Sequence, residues 1–179
     1  YIGERYVTQG LTKHLNEMKY TIINDVTLPL ENGGTTQVDH IVVSNFGIFV
    51  IETKYMSGWI FGSENQAKWT QTIHRSKHSF QNPLRQNYKH TKTLSLLLNL
   101  PHDQFRSIVI FTPNAELKTK MPSSVGYLKN ALTFIKTFQE VLFDDKEKAD
   151  LVVSINAIKL APNFASSKYL CLDTSSSDS

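Results

Sequence analysis

Two carboxylates and an ammonium group interrupt a stretch that otherwise reads as buried strand: Asp39 in QVDHIVVS, then Glu52 and Lys54 in GIFVIETK. Side chains alternate along a strand, so Asp39 shares a face with Ile41 and Val43, while Glu52 and Lys54 share one with Ile48 and Val50. If Ser44 pairs with Gly47 across a tight turn, Val43 lies opposite Ile48, Ile41 opposite Val50, Asp39 opposite Glu52 and Gln37 opposite Lys54. Like charges set side by side in a sheet destabilise it unless a cation joins them. A purely structural ion cluster with Lys54 is the alternative, but burying several charges commonly loses more in desolvation than attraction returns. Oxygen donors with no cysteine or paired histidine beside them favour a hard cation, Mg2+ or Mn2+, over zinc. The expected ligands are Asp39, one oxygen of Glu52 and the Thr53 carbonyl, holding a cation that polarises a phosphodiester and acidifies a bound water. Lys54, on the same side, is expected to orient that water or to stabilise charge growing on the phosphate.

Several elements must position these groups. In GERYVTQGLTKHLNEM, Val7, Leu11, Leu15 and Met18 recur at helical spacing, and Glu4 stands on the same stripe in the first turn. Glu4 either completes the carboxylate set or simply complements the positive start of its helix. YTIINDVTL, TQVDHIVVS and GIFVIETK read as three strands, the first two separated by the turn signal ENGGTT. SGWIFGSENQAKWTQTI is expected to hold one or two short strands, with Trp59 and Trp69 near the hairpin ends. Asn82 as N-cap and Pro83 at the first position predict a helix from Pro83 to about Leu98, ending before Pro101. On it Gln86, Lys89, His90 and Thr93 share a face apart from the leucines. The β-branched run SIVIFT predicts a buried strand over 107–112. A loop with a short strand at VGYL follows, then helices over ALTFIKTFQEVL and KADLVVSINAIKL and a frayed tail. The predicted class is mixed α/β (α+β), a central sheet flanked by helices.

Length and composition bound the rest. A chain of 179 residues, 40% hydrophobic, can bury the core of a single domain without staples. One cysteine, Cys171, excludes an internal disulfide framework and a cysteine-built zinc site, and with it a cytoplasmic home is expected. No apolar run reaches the ~20 residues of a membrane helix and no leader precedes Tyr1, so no membrane partner is expected; the absent initiator Met is expected to reflect either trimming or a start inside a longer chain, which leaves room for additional domains outside this sequence. Between Asn65 and His102 there is no acid, while Lys68, Arg75, Lys77, Arg85, Lys89 and Lys92 add +6. The net charge of +3 thus combines +6 here with −3 over the rest of the chain. Such a basic region, interleaved with Trp69, Phe80 and Tyr88, fits either a polyanion-binding face or a solvated helix surface. His74 and His78 are spaced i, i+4 as zinc ligands on a helix are, but no third ligand accompanies them, and phosphate contact or exposure is the better expectation. His40 is expected on the opposite side of its sheet from Asp39, as a packed histidine, and both tryptophans are expected in the core rather than stacked on bases.

The order of these motifs is itself informative. D-x12-E-x-K on consecutive strands after an acidic first helix resembles the PD-(D/E)xK restriction-endonuclease-like superfamily. GERYV, QVDHIVVSNFGIFVIETKYMSGWI and FQNPLRQNYKH, across residues 3–112, resemble more narrowly the nuclease-related (NERD) domain. The resemblance implies a restriction-endonuclease-like core of αβββαβ order over residues 1–112, while periodicity alone carries the helical completion expected over 113–172, ahead of a flexible tail expected over 173–179. It implies a divalent-metal-dependent nuclease acting on DNA, with Asp39, Glu52, Lys54 and Glu4 at the family's acidic and lysine positions. The proline of the superfamily name is replaced here by Val38. Related nucleases often carry a glutamine on the helix after the sheet, which makes Gln86 a site candidate beside the reading of an exposed polar residue; His90, one turn on, shares its face. Arg75, Lys77, Arg85, Lys89 and His90 are the expected DNA contacts. Many nucleases of this fold pair up to cut two strands, so a homodimer is among the states the resemblance allows. The rival classes are a DNA-binding or docking module that keeps the fold without catalysis, and a regulatory domain for a nucleotide or protein.

Overall fold

The computed structural model describes residues 2–160; Cys171, the 161–172 end of the expected helical completion and the tail expected over 173–179 lie outside them. Helix α1 (Ile2–His14) turns Val7 and Leu11 inward, as their spacing requires. Strands β1 (Tyr20–Pro29), β2 (Thr35–Ser44) and β3 (Gly47–Lys54) follow as an antiparallel meander. The β2–β3 turn is held by the Ser44 hydroxyl, which donates to the Gly47 carbonyl (2.9 Å) and accepts from Phe46 N (3.0 Å). Gly47 has φ of +138°, a conformation that side chains strongly disfavour, which fixes glycine at that corner. The register is the one the alternation demands: Ser44 opposite Gly47, Val43 opposite Ile48, Ile41 opposite Val50.

Three short strands, β4 (Gly58–Phe61), β5 (Lys68–Ile73) and β6 (Ser76–Gln81), precede helix α2 (Pro83–Leu98). After a 3-10 turn (His102–Gln104) come β7 (Phe105–Phe111), β8 (Ala115–Leu117), β9 (Val125–Gly126), α3 (Leu128–Thr137) and α4 (Asp145–Ile158). Among the described residues the main sheet has the order β1-β2-β3-β7-β9, with β7 parallel to β3 and to β9, and a second sheet has the order β6-β5-β4-β8. The expected strand, helix and strand sequence is therefore present with β4, β5 and β6 inserted between β3 and α2, and β8, after β7, completing their sheet. The segment SGWIFGSENQAKWTQTI holds two strands, β4 and β5, as expected, and β6 follows beyond it. The residues of β6, SKHSFQ, carry too little apolar alternation to be told from loop in isolation.

Helices cover both faces of the main sheet. On one side, Val7 and Leu11 of α1 and Leu128, Ala131 and Ile135 of α3 bury Val42, Phe49, Ile51, Ile108 and Ile110. On the other, Leu94 of α2 and Ile155 of α4 bury Val26, Val38, Ile41, Val43, Ile48 and Val50. A strand covered on both faces reads as a continuous apolar run, and Gly47–Glu52 of β3 is buried throughout. The result is a mixed α+β fold with a helix-flanked central sheet, consistent with a restriction-endonuclease-like architecture. No helix among the described residues is long and apolar enough to cross a membrane.

Candidate active site

The β2–β3 ladder is paired residue by residue from the turn to His40 and Ile51. One step further the pattern changes: instead of a strand-to-strand bond, Thr53 N donates to the Asp39 carboxylate (Oδ2, 2.7 Å). A side chain has replaced a backbone partner where the two strands part. Glu52, 5% exposed, lies beside it, its Oε1 2.9 Å from Lys54 Nζ. Lys54 Nζ also donates to Gln86 Oε1 at 2.7 Å, so α2 and β3 hold the ammonium between them. Asp39, Glu52, Lys54 and Gln86 thus converge at one end of the sheet, on the face that α2 covers.

Burial gives this group its electrostatics. Asp39 is pushed up to about 7, first by desolvation and then by the Glu52 and Glu4 charges, against the Thr53 amide and Lys54, which favour the anion. Glu52 is likewise raised by desolvation, although Lys54 pulls the other way through both charge and hydrogen bond. Glu4 adds a raising charge to each carboxyl, so the first turn of α1 contributes to the same field. Its helix can approach because residue 3 is glycine: a Cβ there would stand 3.0 Å from the Tyr55 Cβ, just past Lys54. His90 completes the inner wall. Its Nδ1 lies 3.7 Å from Glu52 Oε2 and 3.2 Å from Asn87 Oδ1, and burial, with Lys54 adding, lowers it to about 4. The imidazole is therefore neutral at pH 7, and its approach to Glu52 is a neutral contact, not an ion pair.

Two carboxylates crowded together in low dielectric, both shifted toward the neutral acid, describe a site whose neighbouring ammonium, Lys54, does not offset their burial. Their oxygens are the hard donors a divalent ion takes. Among the described residues no three His, Cys, Asp or Glu side chains are gathered closely enough to hold a metal ion by themselves. Mg2+ ordinarily needs no such cage, being held by one or two carboxylates with water and phosphate oxygens making up the shell. The donor set fits.

A family model for the nuclease-related domain matches residues 1–112. The chain belongs to the nuclease-related domain family. This is a PD-(D/E)xK-like nuclease domain, and its match ends one residue beyond β7. The chain is also 48% identical, over 118 residues, to an uncharacterized protein of Bacillus anthracis. That alignment covers 65% of this chain and 54% of the relative, so the chain spans about half the length of the protein it matches.

Four of the five expected DNA contacts of this nuclease-related domain lie outside the convergence. Arg75 and Lys77 are exposed on the β5–β6 hairpin, and Arg85 and Lys89 are exposed on α2, where Arg85 Nη2 donates to the Asn65 carbonyl at 2.8 Å. His90, expected among the DNA contacts, is 3% exposed and turned to Glu52, because its position on α2 faces the sheet. His74 and His78 flank a hairpin rather than a helical turn, and both are exposed. His40 lies on the α1 side, buried, with Nε2 2.8 Å from Thr8 Oγ1, as the alternation predicts. Trp69 is buried as expected, but Trp59 is 50% exposed, because it alternates with Ile60, which takes the inward place on β4. Sequence reasoning missed Asn87. It is fully buried and its Nδ2 donates to the Val50 carbonyl (2.8 Å), Ser107 Oγ (2.9 Å) and the Ile108 carbonyl (3.2 Å). Its place between Gln86 and the apolar stripe of α2 was the available signal: a polar residue that cannot face solvent must be bonded.

Proposed function

We propose that this chain is a Mg2+- or Mn2+-dependent deoxyribonuclease that hydrolyses phosphodiester bonds by means of an activated water. The observation that carries the reading is the pair of buried, mutually repelling carboxylates, Asp39 and Glu52, with Lys54 held beside them by Gln86. Asp39, Glu52 and the Thr53 carbonyl are the proposed ligands, with Glu4 contributing charge from α1. When bound there, a divalent ion supplies Lewis acidity toward a phosphate oxygen and a water of lowered pKa.

The chain's own groups do the positioning. The Thr53 amide fixes Asp39 Oδ2, so one donor is set before any ligand arrives. The Lys54 ammonium, only partly exposed, carries a localised positive charge that can turn from Glu52 toward a phosphate oxygen in which negative charge grows. Gln86 keeps that ammonium at the mouth of the site and offers its amide N–H2 to water or phosphate. His90 and Asn87 close the inner wall, which excludes water from the buried side of Glu52. Neutral His90 adds no competing positive charge.

The test is cleavage of supercoiled, linear and single-stranded DNA with Mn2+, wild type beside Glu52→Gln and Lys54→Ala. Both variants should lose metal-dependent cleavage by a hundredfold or more, on the order expected for removing an electrostatic catalytic group, while melting as cooperatively as wild type. Full activity in either sinks the assignment, and DNA binding without cleavage at any metal concentration would make the chain a docking module on a nuclease fold.

A further inference from the structure

The second sheet has two unlike faces. Ile60, Trp69 and Phe80 turn inward, where Trp69 stacks on Phe111 at a centroid separation of 6.3 Å and Leu84 of α2 packs alongside. Cross-strand partners share a face. Trp59 pairs with Thr72, which pairs with Lys77, and Phe61 pairs with Thr70, with Lys68 two residues before Thr70 on the same strand. The outer face therefore presents two aromatic rings on β4, threonine hydroxyls on β5 and lysines at two edges. Trp59 is 50% and Phe61 37% exposed, while the typical fate of such rings in a domain of this size is burial. On the far edge, Lys118 Nζ sits 4.7 Å from the centre of the Trp59 ring and pairs with Glu116, the residue opposite Trp59 on β8. The acid on this face is thereby neutralised, and Lys68 and Lys77 leave it positive.

From this we infer that the outer face of the β4–β6 sheet is a stacking platform for single-stranded DNA. A duplex hides the faces of its bases, whereas an unpaired strand can lay successive bases on exposed rings and its phosphates against flanking lysines. Charge complementarity favours a polyanion over an apolar partner, since the rings are rimmed by Lys68, Lys77 and Lys118 rather than by apolar residues. The platform lies close to the chemistry: Trp59 follows Lys54 by five residues, at most about 18 Å of extended chain. A strand gripped there has its neighbouring phosphates within reach of Asp39 and Glu52. The inference rests on the nuclease reading for its substrate class, and it adds that the substrate is held as an unpaired strand beside the point of cleavage.

The chain has two tryptophans, and Trp69 is 1% exposed, so ligand-dependent quenching reports Trp59. The experiment titrates oligodeoxythymidylate and a blunt duplex of equal length into the protein in EDTA, following both tryptophan emission and the anisotropy of labelled DNA. Wild type should be quenched by the single strand and bind it more tightly than the duplex. Trp59→Ala should weaken single-strand binding about tenfold, the usual scale for losing one stacked base, and Phe61→Ala should do so independently. Trp59→Phe should keep most of the affinity and lose the quenching, which a merely structural role would not produce. Unchanged affinity in both alanine variants, tighter binding of the duplex, or concentration-dependent self-association that vanishes in Trp59→Ala would each overturn the platform. Because EDTA suspends cleavage, the two readings fail separately. Binding that needs Trp59, without metal-dependent cleavage, removes the nuclease and keeps the platform, whereas cleavage with the same KM in Trp59→Ala does the reverse.

Discussion

Asp39 is the residue at which the cost and the use of this site meet. Its folded pKa of about 7 stands well above its ordinary value of 3.8, so the folded state holds that proton more tightly than the unfolded chain does. The resulting stabilisation is complete below pH 3.8 and is lost as pH rises through about 7. His40 and His90, both lowered to about 4 by burial, act with the opposite sign: they stabilise above their ordinary value of 6.5, and that contribution is lost as pH falls toward 4. A wild-type melting curve mixes these terms, but a comparison with Asp39→Asn cancels the histidines. In EDTA the variant should melt above wild type at pH 8, on the order of 5 °C for a domain of this size, and the gap should close near pH 4. Millimolar Mn2+ at pH 8 should raise the melting temperature of wild type and leave Asp39→Asn nearly unmoved. A gap of the same size at both pH values, measured by calorimetry, would mean that Asp39 carries no buried charge.

At the scale of elements, α2 is the part that turns a charged strand end into a site. It delivers Gln86 to Lys54 and His90 to Glu52, and Asn87 between them ties the helix to the backbone of both β3 and β7. Asn87→Ala removes the buried amide that bonds Val50, Ser107 and Ile108 across β3 and β7, which should destabilise the chain by about 2 kcal/mol in urea titration; because the helix also sets Gln86, cleavage should fall more than the unfolded fraction explains. The ends of this helix were legible in the sequence. Asn82 caps it through Leu84 N, Pro83 occupies its first position, and Asn99 closes it in the left-handed conformation. The β2–β3 register was legible for the same kind of reason, since a two-residue turn that sets Ser44 opposite Gly47 fixes every pair after it. What escaped was fixed by distant partners. Strand β6 is too polar to announce itself, and it exists because Phe80 joins Ile60, Trp69, Phe111 and Leu84 from other parts of the chain. The burial of His90 escaped as well: which polar residue on a helix points inward depends on where the sheet lies.

Over the whole molecule, a small net charge conceals a polarised surface. The acid-free span from Asn65 to His102 folds into β5, β6 and α2, so its basic residues are carried on a contiguous run of structure that leads directly to the site. Phosphate contacts release counterions, and each one adds roughly 0.7 to the slope of log affinity against log salt on a single strand, or about 0.9 on a duplex. Replacing Arg75, Lys77, Arg85 and Lys89 together by glutamine should therefore flatten that slope by up to about 3 on single strands. Base stacking releases no counterions, so Trp59→Ala should move the same line downward without changing its gradient. These two signatures separate the charged surface from the aromatic one in a single set of salt titrations. An unaltered slope in the fourfold variant would show that the basic span is ordinary solvated surface, and that the strand reaches Asp39 and Glu52 by another path.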